Sequence, residues 1–301
     1  MGARASMGGG LADAFRRLTR GATWRLVAAT PVAFDTHHPQ GLAKVGDALF
    51  LSSVEVNEPT RRYGRPRPGG MDRSAGRGVG HLFKLDLGGR LLDRIALGEG
   101  DVYHPGGIDH DGRHVWVPVA EYRPNGRSIV YRVDPATMRA AEAFRYPDHI
   151  GCVACDTDGG ALHGASWGAR RFYAWRLPGD GSGVADADIP PDALGRPNPC
   201  HYIDYQDCRY VGGGLAICSG LGEYRPVQGG PPLALGGMDL VDLRWVRPVH
   251  QVPVELWTED GRPMTRNPVW TEPRGNDGLR IYFIPEDRAS RLFVYDVRLV
   301  R

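Results

Sequence analysis

Apolar positions along this chain come in short runs broken by Gly- and Asp-containing turns, with little helical spacing. The second quarter shows the pattern best. Residues 107–110 read as a first strand, Asp111-Gly112 as a turn and 114–119 as a second strand. Residues 128–133 give a third strand, turning at Asp134-Pro135, and 141–146 alternate as a fourth. Four short strands joined by turns make one propeller blade. The same parse gives 41–44, 48–54, 80–85 and 91–97 in a first repeat, and 151–156, 161–166 and 171–177 with a poor fourth strand in a third. It gives 201–205, 214–219, 238–243 and 247–256 in a fourth repeat. The fifth has 269–272, 279–284 and 292–297, and lacks a fourth strand, while residues 23–32 supply a spare one ahead of the first repeat. The pattern predicts an all-β, five-bladed propeller of four-stranded antiparallel blades, the last closed by the N-terminal strand. The domain spans 23–301, with blades at about 36–100, 103–147, 148–197, 198–258, and 267–301 plus 23–32, behind a disordered leader over 1–22.

A short polar motif opens each repeat: His38-Pro39-Gln40-Gly41, His104-Pro105-Gly106-Gly107, Asp148-His149-Ile150-Gly151, Asn198-Pro199-Cys200-His201 and Asn267-Pro268-Val269-Trp270. The innermost strand of a blade has one unpaired edge, so Pro at its start loses no ladder hydrogen bond. Gly41, Gly107 and Gly151 suit the close approach of strands converging on the axis. Two insertions break the template, at 57–78 and 179–196. Loops that long are usually functional or disordered, and the first reads as a flap over the tunnel mouth.

The 42 Gly and 24 Pro among 301 residues, against an average of roughly 12 % for the two together, fit a turn-rich fold. A net charge of +2, from 37 basic and 35 acidic residues, makes no electrostatic case for nucleic acid or an anionic membrane. The first 22 residues lack the apolar core of a secretory signal, and Phe15 and Leu18 stand there as isolated apolar residues. Met1-Gly2-Ala3-Arg4-Ala5-Ser6 fits the short N-myristoylation pattern. Cys152 and Cys155, three apart on a strand, point to opposite faces. Cys200, Cys208 and Cys218 look like small buried residues, so the expectation is reduced thiols in a cytoplasmic protein.

Equivalent loops of a propeller share one face, so the strand-opening residues ring the tunnel mouth. His38, His104, His149 and His201 come from four successive blades and Asn267 from the fifth. Imidazoles meeting there suit a divalent transition metal, Fe, Mn or Zn. If the residue before Pro is the shared position, the ring reads His38, His104, Asp148, Asn198 and Asn267 instead. A second ring follows: Glu55 and Glu121 each lie 17 residues after their histidine, and Glu223 and Glu286 occupy the like place in blades four and five. Glu121-Tyr122-Arg123-Pro124 and Glu223-Tyr224-Arg225-Pro226 are the same tetrapeptide. Carboxylates there would orient ligating imidazoles, or Glu55, Glu121 or Glu223 would act as general base. Arg123 and Arg225 would hold an anionic substrate, and Tyr122, Tyr224, Trp167 and Asn267 would line its pocket. The plain alternative makes the Glu–Arg pairs glue between blades. Trp24, Trp116, Trp175, Trp245 and Trp257 read as packing core.

The segments His-Pro-Gly-Gly-Ile-Asp at 104–109, Val-Pro-Val-Ala-Glu-Tyr-Arg-Pro at 117–124 and Leu-His-Gly-Ala-Ser-Trp-Gly at 162–168 resemble an uncharacterised bacterial β-propeller family, a domain of unknown function. That resemblance covers about residues 23–301 and brings no activity with it. A distant likeness of site logic links His38, His104, His149 and His201, backed by Glu55, Glu121 and Glu223, to carotenoid-cleaving oxygenases, which are longer propellers with an axial iron on four histidines. The expected function is a metal-dependent enzyme acting on a small organic substrate at the tunnel mouth, a hydrolase or lyase. A non-haem iron oxygenase and a non-catalytic scaffold are the alternatives.

Overall fold

The computed structural model describes residues 7–179, 183–275 and 277–299. Met1–Ser6, with the acylation pattern, lie outside the described residues. Five four-stranded antiparallel sheets radiate from one axis. Blade one runs His38–Val45, Ala48–Glu58, Arg77–Asp86 and Leu91–Leu97. Blade two runs Val102–Pro105 with Asp109–His110, then Val115–Glu121, Ser128–Val133 and Ala140–Tyr146. Blade three runs Ile150–Asp156, Ala161–Ser166, Arg171–Arg176 and the two-residue strand Arg196–Pro197, which returns after the second insertion. Blade four runs Asp204–Gly212, Leu215–Tyr224, Leu233–Asp242 and Arg247–Val254. Blade five runs Val269–Pro273, Gly278–Phe283 and Arg291–Arg298 and is completed by Thr23–Pro31, which pairs Thr23 with Arg298 through Pro31 with Arg291. The spare N-terminal strand therefore fills the place left open in the last blade.

Alternating apolar residues of each strand pack between blades, so the core is a set of layers. Leu42, Leu51, Leu82, Val117 and Ile129 fill one of them, and Trp116, Tyr146, Tyr173 and Trp175 another. Trp245 and Trp257, expected in these layers, lie on the surface instead. Cys152 and Cys155 do fall in different layers, as their spacing required.

The inner strands meet so closely that backbone plugs the axis. A Cβ added to Gly106 would sit 2.1 Å from the Gly151 carbonyl oxygen, and one added to Gly107 would sit 2.7 Å from the Asp207 Cα. The Gly107 amide donates to that same Gly151 carbonyl at 2.8 Å. Asp207, fully buried, accepts from the Leu42 amide at 2.9 Å and the Ile108 amide at 3.1 Å, pinning blade four to blades one and two. Asp109 likewise accepts from the Cys155 and Tyr210 amides, each at 2.9 Å. Burial raises both carboxyls: Asp207 well above the usual range and Asp109 to about 6.

Three sequence expectations need correction. Met7–Arg16 is a helix where a disordered leader was expected. Leu11, Phe15 and Leu18 stand at helical spacing and are buried against Val211, Leu240, Val254 and Leu279 of blades four and five. Cys208 and Cys218 are joined in a disulfide, not held as thiols. The Gly212–Gly214 turn sets them directly opposite on adjacent strands, with Cα atoms 4.1 Å apart. The inner strand of blade four begins at Asp204, three residues after His201, because its strand-opening motif lies in the preceding loop.

Candidate active site

One face of the plugged axis is a cup of about 210 Å³ lined by His38, Gln40, His104, Tyr122, His149, Trp167, Asp204 and Gln206. The inner strands of blades one to three deliver His38, His104 and His149 there, as the sequence pattern required. In blade four the cup-lining acid is Asp204. His201 sits outside, half-exposed, and the Arg170 guanidinium donates to its Nδ1 at 2.7 Å. His201 therefore does not join His38, His104 and His149 in the cup. Arg170 also pairs with Asp204.

The three cup histidines differ in their partners. His38 holds Asp287 at 2.8 Å through Nδ1. Asp287 also takes two bonds from Arg266, at 3.0 and 2.9 Å, and one from Asn267 at 3.2 Å. Burial works against its charge, yet the bonds from His38 and Arg266 hold the carboxyl well below the usual range. Asn267 is thus a brace for Asp287, where it was expected to touch substrate. His149 donates Nδ1–H to the Glu121 carbonyl at 2.8 Å. His104 is buried with neither ring nitrogen partnered. Burial pushes both His104 and His149 down, His104 far below the ordinary value, and the neighbouring imidazoles push His104 further. Both rings are therefore neutral at pH 7.

An aromatic stack covers them. Tyr122 lies flat on His104 at 4.0 Å between ring centres, Trp167 stands edge-on to His149 at 4.8 Å, and Tyr122 and Trp167 are 5.7 Å apart. Arg73 rests over Trp167 at 5.1 Å. It comes from the 57–78 insertion, a small hairpin of Arg62–Arg67 and Met71–Arg73. Asn125 ties that hairpin down through the Gly70 carbonyl, and Tyr103 through the Ala75 carbonyl. The insertion is thus a flap over the cup wall.

The glutamates fare differently. Glu121 is buried, and its two carboxylate oxygens are held by Arg123 at 2.7 Å and Arg127 at 2.9 Å. It is glue within its blade, and Arg123 serves it in place of a substrate. Glu286 is bound the same way by Arg291. Glu223, Tyr224 and Arg225 lie exposed on the rim, away from the cup, with the Tyr224 hydroxyl donating to the Tyr202 carbonyl. The repeated tetrapeptide therefore has one buried copy and one exposed copy. Glu55 lies on the flank of blade one, where its Oε2 is 3.1 Å from His81 Nε2 and 3.8 Å from His37 Nε2. Of the described residues, only His37, Glu55 and His81 bring three ligand atoms within 4.8 Å of one another, and the cup histidines do not. The four-histidine iron geometry is not formed here.

Sequence reasoning missed Asp287, Asp204, Gln40, Gln206, His37 and His81. Asp287 carries a faint signal, as the residue standing where the repeated tetrapeptide has Tyr in Glu286-Asp287-Arg288. The others carry no signal apart from the register of their strands.

The chain is similar to several solved structures. A hypothetical protein from Leishmania major superposes with a TM-score of 0.52 at 10 % identity, over 91 % of this chain and 90 % of that one. A luciferin-regenerating enzyme gives 0.46 at 12 % identity over 92 % and 95 %, and a periplasmic gluconolactonase of Pseudomonas aeruginosa gives 0.37 at 15 % over 87 % and 88 %. At 10 % identity the first likeness shows the fold alone. No curated protein matches the sequence. The model of one family matches residues 2–301, helix and propeller together, and by that match the chain belongs to DUF6454, a family of unknown function.

Proposed function

We propose that this propeller is an enzyme whose active site is the top-face cup, acting on a small organic molecule by general acid–base chemistry of the hydrolase or lyase kind. The observation that carries this reading is the His38–Asp287 pair at the wall of a cup that also holds two neutral imidazoles. An ionised carboxylate on Nδ1 fixes the tautomer that leaves Nε2 as the base, and it stabilises the imidazolium formed when a proton is taken. Arg266 and Asn267 keep Asp287 in place. Neutral His104 would then donate N–H to an oxygen on which charge develops, at no cost in charge repulsion, while His149, whose one N–H is held by the Glu121 carbonyl, would offer Nε2 as an acceptor. A volume of about 210 Å³ is about seven water volumes, which restricts the substrate to a small molecule. Tyr122 and Trp167 offer flat apolar walls.

A divalent metal in the cup, as expected from the histidine ring, would require His38, His104 and His149 to close in on one another. The partners of His38 and His149 suit that role: a carboxylate and a backbone carbonyl on Nδ1 leave Nε2 as the ligating atom. The Cys208–Cys218 disulfide favours an oxidising compartment over the cytoplasm. Among the described residues no helix is long and apolar enough to cross a membrane.

The test is turnover of p-nitrophenyl acetate, small lactones and β-hydroxy acids by the wild type, His38→Ala and Asp287→Asn. Turnover above buffer is expected for at least one class, with kcat lowered roughly 10²–10⁴-fold in both variants. Wild-type rates equal to buffer throughout, or variants as active as wild type, would refute the proposal.

A further inference from the structure

We infer that His37, Glu55 and His81 form a binding site for a divalent transition metal on the flank of blade one, separate from the cup. The neighbouring histidines His37 and His38 diverge because His37 adopts a left-handed backbone, φ +52°. His38 then turns into the cup, and His37 turns outward. Asp35 fixes that bend by accepting the His37 amide at 2.7 Å. Its carboxylate also lies 3.5 Å from His37 Nδ1, the side away from Glu55.

The other two ligands come from adjacent strands. Glu55 pairs in register with Val79, and His81 with Ser53. Glu55 and His81 are thus diagonal neighbours on one face of the sheet, a spacing that long side chains bridge. Both imidazole Nε2 atoms face the same Glu55 oxygen, at 3.1 and 3.8 Å. The rings are held in place, with His37 stacked on His81 at 4.9 Å and His81 on Phe83 at 5.3 Å.

Two imidazoles and a carboxylate are a borderline donor set, suited to Zn(II), Fe(II), Mn(II) or Co(II). A carboxylate on the far nitrogen of one imidazole is the usual support for such a ligand. Three protein ligands leave further coordination positions, and these face an open flank cavity of about 550 Å³ lined by Phe34, Asp35, Leu91 and Arg94. Arg94 beside an open position would favour an anionic further ligand.

Titrating cobalt(II) into chelator-treated protein tests the assignment by calorimetry and by the visible absorption of the bound ion. The wild type should take up one equivalent. His81→Ala and Glu55→Gln should each weaken binding by more than the roughly 10–100-fold typical of outer-shell partners, with thermal melts showing that both variants fold. His104→Ala should bind like wild type, because His104 belongs to the cup and not to the flank. No stoichiometric uptake by wild type, wild-type affinity in His81→Ala, or loss in His104→Ala would each overturn it. None of these readouts depends on turnover in the cup.

Discussion

Two sets of buried polar groups sit on the axis of this propeller, one just above the other, and they are treated in opposite ways. The lower set is Asp207 and Asp109, whose carboxylate oxygens are filled by backbone amides from neighbouring blades. The upper set is the cup, where His104 has no hydrogen bond at all and His38 and His149 are tied by one nitrogen each. A buried polar group that lacks a partner costs stability, and folded proteins keep few of them. The satisfied set ties the inner strands of blades one to four to one another. The unsatisfied set persists at a cost, in a cavity, among residues delivered by equivalent strand positions. Such a cost is what a binding or catalytic site imposes.

The largest effect should come from breaking the lower set. Asp207→Ala strands the Leu42 and Ile108 amides in a plugged axis with no room for water. At about 1–3 kcal/mol for each orphaned group, the loss should be roughly 2–6 kcal/mol, read as a lower urea midpoint with little change in slope. Asp207→Asn keeps one acceptor and should fall between. A midpoint for Asp207→Ala within error of wild type would erase the distinction between the two sets.

The repeated tetrapeptide sharpens the same contrast within one sequence motif. Glu121 is buried between Arg123 and Arg127, whereas Glu223 is exposed. Glu121→Gln breaks a buried ion pair and should cost about 3–5 kcal/mol. Glu223→Gln should stay within about 0.5 kcal/mol of wild type. Equal losses from the two substitutions would mean that the exposed copy has a partner in solution.

That identical tetrapeptides take different roles shows where reading the sequence stops. Blade number, closure by 23–32 and the delivery of His38, His104 and His149 to one cup all follow from strand periodicity and a motif at strand starts, which are local features. What was illegible depends on register over distance. His201 fails to reach the cup because Asn198 caps its own loop, accepting from the Cys200 amide and donating to the Ala169 carbonyl, and the strand starts three residues later. His37, Glu55 and His81 meet only because the 57–78 flap leaves strands two and three of blade one in the register that sets Glu55 against Val79. The N-terminal helix opens on three glycines, Gly8, Gly9 and Gly10, which argue against a helix from sequence alone. Its apolar stripe becomes visible only against the surface of blades four and five that it covers. The disulfide needed the hairpin register at Gly212–Gly214.

The smallest and most diagnostic effect concerns the unsatisfied set. His104→Phe keeps a ring beneath Tyr122 and removes two buried nitrogens that have no partner. At pH 7.5 the variant should be more stable than wild type by about 1 kcal/mol, a rise in Tm of about 1–3 °C for a chain of this size. The difference should grow in acid. The folded His104 pKa lies well below the ordinary 6.5, so the unfolded chain takes up a proton as pH falls through 6.5 while the folded chain does not. Wild-type stability from this group is therefore present above 6.5 and drains away below it, by about 1.4 kcal/mol per pH unit. Asp109, raised to about 6, works in the opposite sense over the same range, but it is common to both proteins and cancels in the difference. Denaturant curves at pH 7.5, 6.5 and 5.5 should show the gap between His104→Phe and wild type widening at the lowest pH. A gap that stays constant with pH would mean that His104 is protonated or paired in the folded protein, and the cup would then be as satisfied as the axis beneath it.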